Sequence, residues 1–352
     1  MMAPHIAVVG AGAVGGFIGA HLTAAGENVT LIDRWREHVD ATRRHGLRID
    51  GAVPQDNAIV PVRILSDDEI GSLKALPPLD IVFISVKSYD TRWAAELVLP
   101  YLHADAVVVS AQNGCNEATL AEIVGASRTA GLIAARIGVE LSAPGVIRRR
   151  VVRGSPGIDV FRLGELDGQR SARIETLATL LRQVDSVAVI DNLTGERWSK
   201  LAVNAMRNGV SAATGLTIDA LDNHPQLRRF SIEVAGEAVR VGQRLGYSLT
   251  ALGAIPAALF AAADGSAAAL AEIEQRLIDA AQRGAAGQRP SMGQDIVKGR
   301  RTEIDEIYGL VIQRAAELGI PVPANQTVYD RVRAIENGTL TPAPENLLGT
   351  VE

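Results

Sequence analysis

The segment Gly10-Ala11-Gly12-Ala13-Val14-Gly15 follows the apolar run His5–Val9 and opens a helical pattern; a second run, Val29–Ile32, then ends in Asp33, 18 residues after Gly15. The G-x-G-x-x-G pattern alone is common. Strand, glycine turn, helix, strand and terminal acid in that order leave little choice but the first β-α-β unit of a nucleotide-binding α/β domain. The three glycines differ in what they permit. Gly10 allows the tight turn, Gly12 lets the backbone approach a pyrophosphate, and Gly15 lets helix pack on strand. The helix start offers N–H groups and partial positive charge to phosphates. Gly10, Ala11, Gly12, Ala13, Val14 and Gly15 therefore read as a cofactor cradle, against the alternative of a glycine turn that binds nothing. A carboxylate at Asp33 accepts hydrogen bonds from an adenosine ribose and repels a 2′-phosphate, which favours NAD(H) over NADP(H). Arg34 and Arg36 follow and would instead hold that phosphate. The better-placed charge at the strand tip decides for NAD(H).

Further β-branched runs at 59–64, 81–86, 106–110 and 129–133 predict a mostly parallel sheet covered on both faces. Runs at 146–152 and 158–163, separated by Gly154-Ser155-Pro156-Gly157, predict a hairpin, and 187–190 a last short strand. From Thr194 onward Ala, Leu, Glu, Arg and Gln dominate and no strand is expected. Helices are expected over 195–209, 225–246, 251–262, 266–283, 291–318 and 325–336, the fifth unbroken. The expected division is 1–191 for the α/β domain, 192–340 for the helical domain and 341–352 for a loosely held tail.

Polar residues mark three further places. Lys200, Asn204 and Asn208 stand at i, i+4 and i+8 on one face of an otherwise apolar helix. Amides and an amine there imply either a wet face or a lined cavity, because burying them without partners is costly. Ser291, three residues before Gln294, reads as an N-cap in a capping box, compatible with ligand contact. Asn113 lies in the loop Ala111–Asn116 after the fifth strand, where open α/β sheets bind ligands, although Asn-Gly is also an ordinary turn. Lys87, in Ser85-Val86-Lys87-Ser88, reads as a cofactor contact or a solvated loop lysine. Glu303 reads, from the residues around it, as a surface acid on a charged helix.

Composition excludes several classes. One cysteine, Cys115, permits no internal disulfide and no cysteine metal cluster, and suits a cytoplasmic setting. None of the six histidines has ligand spacing, so no metal site is expected. A net charge of −5 argues against a nucleic-acid partner. No stretch reaches the ~18 apolar residues of a membrane span.

Taken in order, GAGAVG (10–15), VKSYD (86–90), QNG (112–114), ERWSKLAVN (196–204), RPSMGQDI (289–296), RTEID (301–305) and GIPVPAN (319–325) resemble the ketopantoate reductase (2-dehydropantoate 2-reductase) family across nearly the whole chain. The resemblance implies an α/β Rossmann-type N-terminal domain and an all-α C-terminal domain of the 6-phosphogluconate dehydrogenase C-terminal-like kind. It implies NAD(P)H-dependent reduction of a 2-oxo acid, ketopantoate to pantoate in pantothenate biosynthesis, by a possible homodimer. By position, Lys200 resembles the catalytic lysine and Glu303 the glutamate beside it. Asn113, Asn204, Asn208 and Ser291 resemble the substrate-holding residues, and Lys87 the lysine near the cofactor. Two departures stand out. Asp33 occupies a place where NADPH-using members lack an acid, and the segment 246–291 is longer than in compact relatives. A dehydrogenase of another 2-hydroxy acid is therefore an alternative; a non-catalytic dinucleotide-binding regulator is a third, opposed by the presence of both Lys200 and Glu303.

Overall fold

A computed structural model describes residues 3–283 and 287–349. The chain divides after Leu193 into two compact units. Among its described residues the first holds twelve strands: β1 (His5–Val9), β2 (Asn28–Asp33), β3 (Leu47–Asp50), β4 (Ala58–Val60), β5 (Arg63–Ser66), β6 (Leu79–Ile84), β7 (Leu102–Ser110), β8 (Thr129–Ala134), β9 (Val139–Ala143), β10 (Val146–Arg149), β11 (Phe161–Glu165) and β12 (Val187–Val189). Eight form a sheet in the order β12-β11-β8-β7-β6-β1-β2-β5, parallel except at β11–β8. Its strands are apolar on both sides because both faces are covered. Ile6 and Val8 join a core with Phe17, Ile18 and Leu22 of helix Ala13–Ala24. Ala7 and Val9 point the other way, towards Ala94, Ala95 and Val98 of helix Thr91–Val98 and Leu120 of helix Glu117–Val124. The chain crosses from one side of β1 to the other between β5 and β6. This places a topological switch point at the carboxyl ends of β1 and β6, where such sheets bind ligands.

A second sheet, β4-β3-β10-β9, corrects two expectations. The run at 59–64 is two strands in two sheets, because Pro61 has no N–H to continue a ladder: β4 pairs with β3 and β5 with β2. The expected hairpin of 146–152 with 158–163 does not form. β10 pairs instead with β9 across Pro144-Gly145, where Gly145 takes φ +74°, while β11 goes to the large sheet.

The second unit is helical, built around Pro225–Arg244, whose Leu227, Phe230, Val234, Ala238 and Val241 are buried. Gly242 has no side chain because a Cβ there would lie 2.3 Å from Trp198, whose indole N–H donates to the Ala238 carbonyl at 2.8 Å. Glu237, also buried, accepts from the N–H groups of Ala324 and Asn325 at 2.9 Å and from Asn325 Nδ2 at 2.7 Å. It thereby caps helix Pro323–Glu336 from another element, which that helix's own sequence does not reveal.

The unbroken helix expected over 291–318 is two. Helix Ser291–Val297 closes where Gly299 enters the left-handed region at φ +62° and the Arg300 N–H bonds the Asp295 carbonyl at 2.9 Å. Helical structure resumes after Thr302, whose hydroxyl accepts from the Ile304 N–H, and runs to Leu318. The expected tail is not loose in its described part. Leu347 is buried and Asn346 Nδ2 donates to the Ala213 carbonyl at 2.8 Å. Among the described residues no helix is long and apolar enough to cross a membrane.

Candidate active site

The glycine turn is shaped by what a Cβ would meet. Gly10 has φ +92°, and a Cβ there would lie 2.7 Å from the Ser85 and Val86 backbone; at Gly15 it would lie 2.1 Å from the Gly10 carbonyl. At Gly12 nothing lies within 4 Å. Gly12 is the N-cap of helix Ala13–Ala24 and supplies no side-chain cap, so the first N–H groups of that helix have no side-chain acceptor there. Open space at Gly12 beside uncapped helix donors fits a dinucleotide pyrophosphate.

Ala11 is pinned at both ends. Its N–H donates to Asp33 Oδ2 at 2.8 Å, and its carbonyl faces His38 Nε2 at 2.9 Å. The Gly145 N–H donates to His38 Nδ1, which fixes the ring as the Nε2–H tautomer. Burial holds the His38 pKa below its ordinary value, so the ring stays neutral and keeps this arrangement. Asp33 Oδ1 accepts from the Trp35 N–H at 2.9 Å. Asp33 thus organises the turn, and each oxygen keeps a lone pair for a ribose hydroxyl. Arg34 pairs with Asp90 and lies 4.9 Å from the centre of the Trp93 ring, and Arg36 pairs with Asp68. Both arginines that would serve a 2′-phosphate are therefore already engaged with carboxylates.

The loops after β6 and β7, carrying Lys87 and Asn113, are laced together. Ser88 Oγ donates to the Asn113 carbonyl at 2.9 Å, Asn116 Nδ2 donates to the same oxygen, and Gln112 Nε2 reaches the Val86 carbonyl and Thr91 Oγ1. Lys87 and Asn113 are half-buried.

In the second unit, Lys200 and Asn204 lie on helix Leu193–Asn204, and Asn208 lies in a π-helical turn, Ala205–Gly209, that continues it. Asn204 and Asn208 are buried, and Asn204 Nδ2 has no hydrogen-bond partner among the described residues. A buried amide without an acceptor costs about 1–3 kcal/mol, and a ligand oxygen would relieve it. Ser291 is not the N-cap expected. Pro290 takes that place, Ser291 is the first helical residue, and Gln294 Nε2 bonds the Arg289 carbonyl instead. Helix Ser291–Val297 packs against Val210–Thr214, since a Cβ at Gly293 would lie 2.7 Å from Ser211 Oγ.

Glu303 is buried, not the surface acid its neighbours in sequence suggest. The break at Gly299 turns the chain so that Glu303 begins a new helical segment. Tyr308, five residues on, donates to the Ala205 carbonyl and accepts from the Gly209 N–H at 3.1 Å. The segment bearing Glu303 is thereby held on the turn between Asn204 and Asn208. Glu306, with Oε2 buried and no partner among the described residues, has its pKa pushed up to about 7 by burial and by Asp305 and Glu303. His38, Tyr308 and Glu306 escape a reading of the sequence. The contacts of His38 and Tyr308 span 27 to 107 residues, and no local spacing signals them.

Of the expected residues, Gly10 to Gly15, Asp33, Arg34, Lys87 and Asn113 belong to the first unit, and Lys200, Asn204, Asn208, Ser291 and Glu303 to the second. Residues 6–161 match the sequence model of the family described as ketopantoate reductase PanE/ApbA, and residues 192–336 that of its C-terminal part. The 2-dehydropantoate 2-reductase of Archaeoglobus fulgidus is 29% identical over 345 residues, covering 96% of this chain and 100% of the relative. The crystal structure of a PanE/ApbA family ketopantoate reductase from Ralstonia eutropha superposes with TM-score 0.76 at 30% identity, covering 95% of this chain and 99% of that one. D-mandelate dehydrogenase, solved with NADH and anilino(oxo)acetate, has the same fold, with TM-score 0.77 at 20% identity over 95% of this chain and 99% of that one. A β1–β6 switch point with its glycine cradle, a helical second unit and matches to both halves of one family agree: the chain belongs to the ketopantoate reductase family, oxidoreductases that act on CH–OH groups with a nicotinamide dinucleotide.

Proposed function

We propose that this enzyme reduces a 2-oxo acid, ketopantoate in the first place, with NADH preferred to NADPH. The observation that carries the substrate reading is Asn204. Its buried amide nitrogen has no acceptor among the described residues, four residues along the helix from Lys200. Amides suit the oxygens of a polar acid because they orient it without adding charge. Asn204 and Asn208, with Ser291, would hold the carboxylate, carbonyl and hydroxyl.

Gly10 to Gly15 would hold the pyrophosphate, Asp33 the ribose and Lys87 the nicotinamide side. When bound, the nicotinamide supplies the hydride for the ketone carbon. Lys200, as the ammonium, stabilises the charge that develops on the ketone oxygen and donates the proton to it. In the direction of hydroxy-acid oxidation a neutral Lys200 takes that proton back. Glu303 orients the lysine and accepts from the substrate hydroxyl. The preference for NADH follows from Asp33 at the tip of β2 and from the engagement of Arg34 and Arg36 with Asp90 and Asp68.

Those same features support a second reading, an NAD-dependent dehydrogenase of another 2-hydroxy acid; the fold shared with D-mandelate dehydrogenase is compatible with it. Initial rates of NADH and NADPH oxidation with ketopantoate separate the two. Turnover with ketopantoate supports the first. No turnover, in protein that binds dinucleotide and reduces another 2-oxo acid, supports the second. Lys200→Ala should abolish turnover and leave the dinucleotide Kd unchanged; a fully active variant would remove Lys200 from the reaction.

A further inference from the structure

The Ala205 carbonyl and the Gly209 N–H are four residues apart, the pair that an α-helix joins directly. Here the same two groups meet the Tyr308 hydroxyl, which donates to the Ala205 carbonyl and accepts from the Gly209 N–H. The turn it enters is the π-helical one, Ala205–Gly209, and a wider turn of this kind often marks a functional place in a helix. Tyr308 itself lies in a second π-helical turn, Asp305–Gly309. Space for its ring exists only because residue 209 is glycine, as a Cβ there would lie 2.5–2.6 Å from Tyr308 Cε2, Cζ and the hydroxyl oxygen. Tyr308 is fully buried, and burial raises its pKa, so it remains the neutral phenol that can donate.

The wedge lies between the two asparagines. In a regular α-helix residues four apart overshoot a full turn by about 40°. In the widened turn they fall short of it, so Asn204 and Asn208 diverge differently. We propose that Tyr308 is a positioning residue for the 2-oxo acid. Its hydroxyl holds open the turn 205–209, so that the Asn204 and Asn208 amides converge on the substrate, and it fastens that turn to the segment carrying Glu303. This rests on the reading of Asn204 and Asn208 as substrate-holding residues. That reading draws in turn on the buried Nδ2 of Asn204, which has no hydrogen-bond partner among the described residues.

The test is Tyr308→Phe, which removes one oxygen and lets the Gly209 N–H close on the Ala205 carbonyl. Rates are taken with ketopantoate, or with the 2-oxo acid the wild type reduces best. KM for that acid should rise about tenfold, the scale of one misaimed hydrogen bond, while the dinucleotide Kd stays unchanged. Gly209→Ala, which expels the ring, should give the same signature if it folds. A merely structural tyrosine would instead lower the melting temperature and the active fraction and leave KM alone. Asn208→Ala, run alongside, separates the layers. If it raises KM and Tyr308→Phe does not, the positioning role is overturned. If Asn208→Ala leaves KM unchanged, the reading of the asparagines falls and the proposal with it.

Discussion

The glycine turn makes a prediction in which two similar substitutions part company. Gly15→Ala would place a Cβ 2.1 Å from the Gly10 carbonyl oxygen and 2.9 Å from the Ser85 and Val8 side chains. The nearest obstacle is backbone, which has no rotamer to escape into. Overpacking of this kind costs about 1–3 kcal/mol, and the loop that must move is the cradle itself. Gly12→Ala meets nothing within 4 Å, and its φ of −65° and ψ of −157° are open to alanine. Alanine loses less freedom on folding, about 0.4–1 kcal/mol in its favour, but it is a poorer N-cap than glycine by a similar amount, so the free protein should change by less than about 1 kcal/mol. The methyl would nevertheless occupy the space where a pyrophosphate approaches, so NADH should bind at least about tenfold more weakly, a loss of ~1.4 kcal/mol. Urea unfolding without ligand and fluorescence titration with NADH measure the two quantities separately. Gly12→Ala that binds NADH like the wild type, or that destabilises the free protein as much as Gly15→Ala, would refute the reasoning.

Three further outcomes are expected. Asp33→Ser should raise the kcat/KM ratio of NADPH to NADH by removing the charge that opposes a 2′-phosphate, and should weaken the fold because one uncharged hydroxyl replaces the two carboxylate oxygens that accept from the Ala11 and Trp35 N–H groups. Glu237→Ala should cost more than about 2 kcal/mol in urea unfolding, since it strands the Ala324 and Asn325 donors in a buried place; Glu237→Gln, which keeps an acceptor, should cost less. Glu306, ordinarily near 4.5 and pushed up to about 7, holds its proton in the folded chain across a range where the unfolded chain has lost it. Its contribution is therefore complete below pH 4.5 and declines as pH rises to about 7. His21, lowered from 6.5 to about 4 by burial and by Arg153 and Arg149, acts in the opposite sense, losing stability as pH falls from 6.5 to about 4. Glu306→Gln should remove the first trend and leave the second, so that stability between about pH 5 and 6.5 rises more steeply with pH than in the wild type; an unaltered profile would place the Glu306 proton elsewhere.

What could be read from the residues was what chemistry writes locally. A glycine turn between strand and helix, an acid at the next strand tip, a mostly parallel sheet and a helical second half follow from periodicity and from backbone sterics, and these prevail because short runs specify them locally. Two exceptions have local causes that propensity underweights. Pro61 split one apolar run between two sheets, and Gly299 cut one helix in two. Tertiary structure decided the rest. Glu303 reads as a surface acid from its neighbours in sequence and is buried because the broken helix turns it inward. His38 joins the glycine turn to the Gly145 hairpin across 107 residues, and Tyr308 enters a helix 99 residues away. Side-chain hydrogen bonds of this reach depend on which surfaces meet, and neither period nor composition encodes that; the sequence by itself determined the first β-α-β unit and the change from an α/β half to a helical half, and packing decided how the turn between Asn204 and Asn208 is shaped.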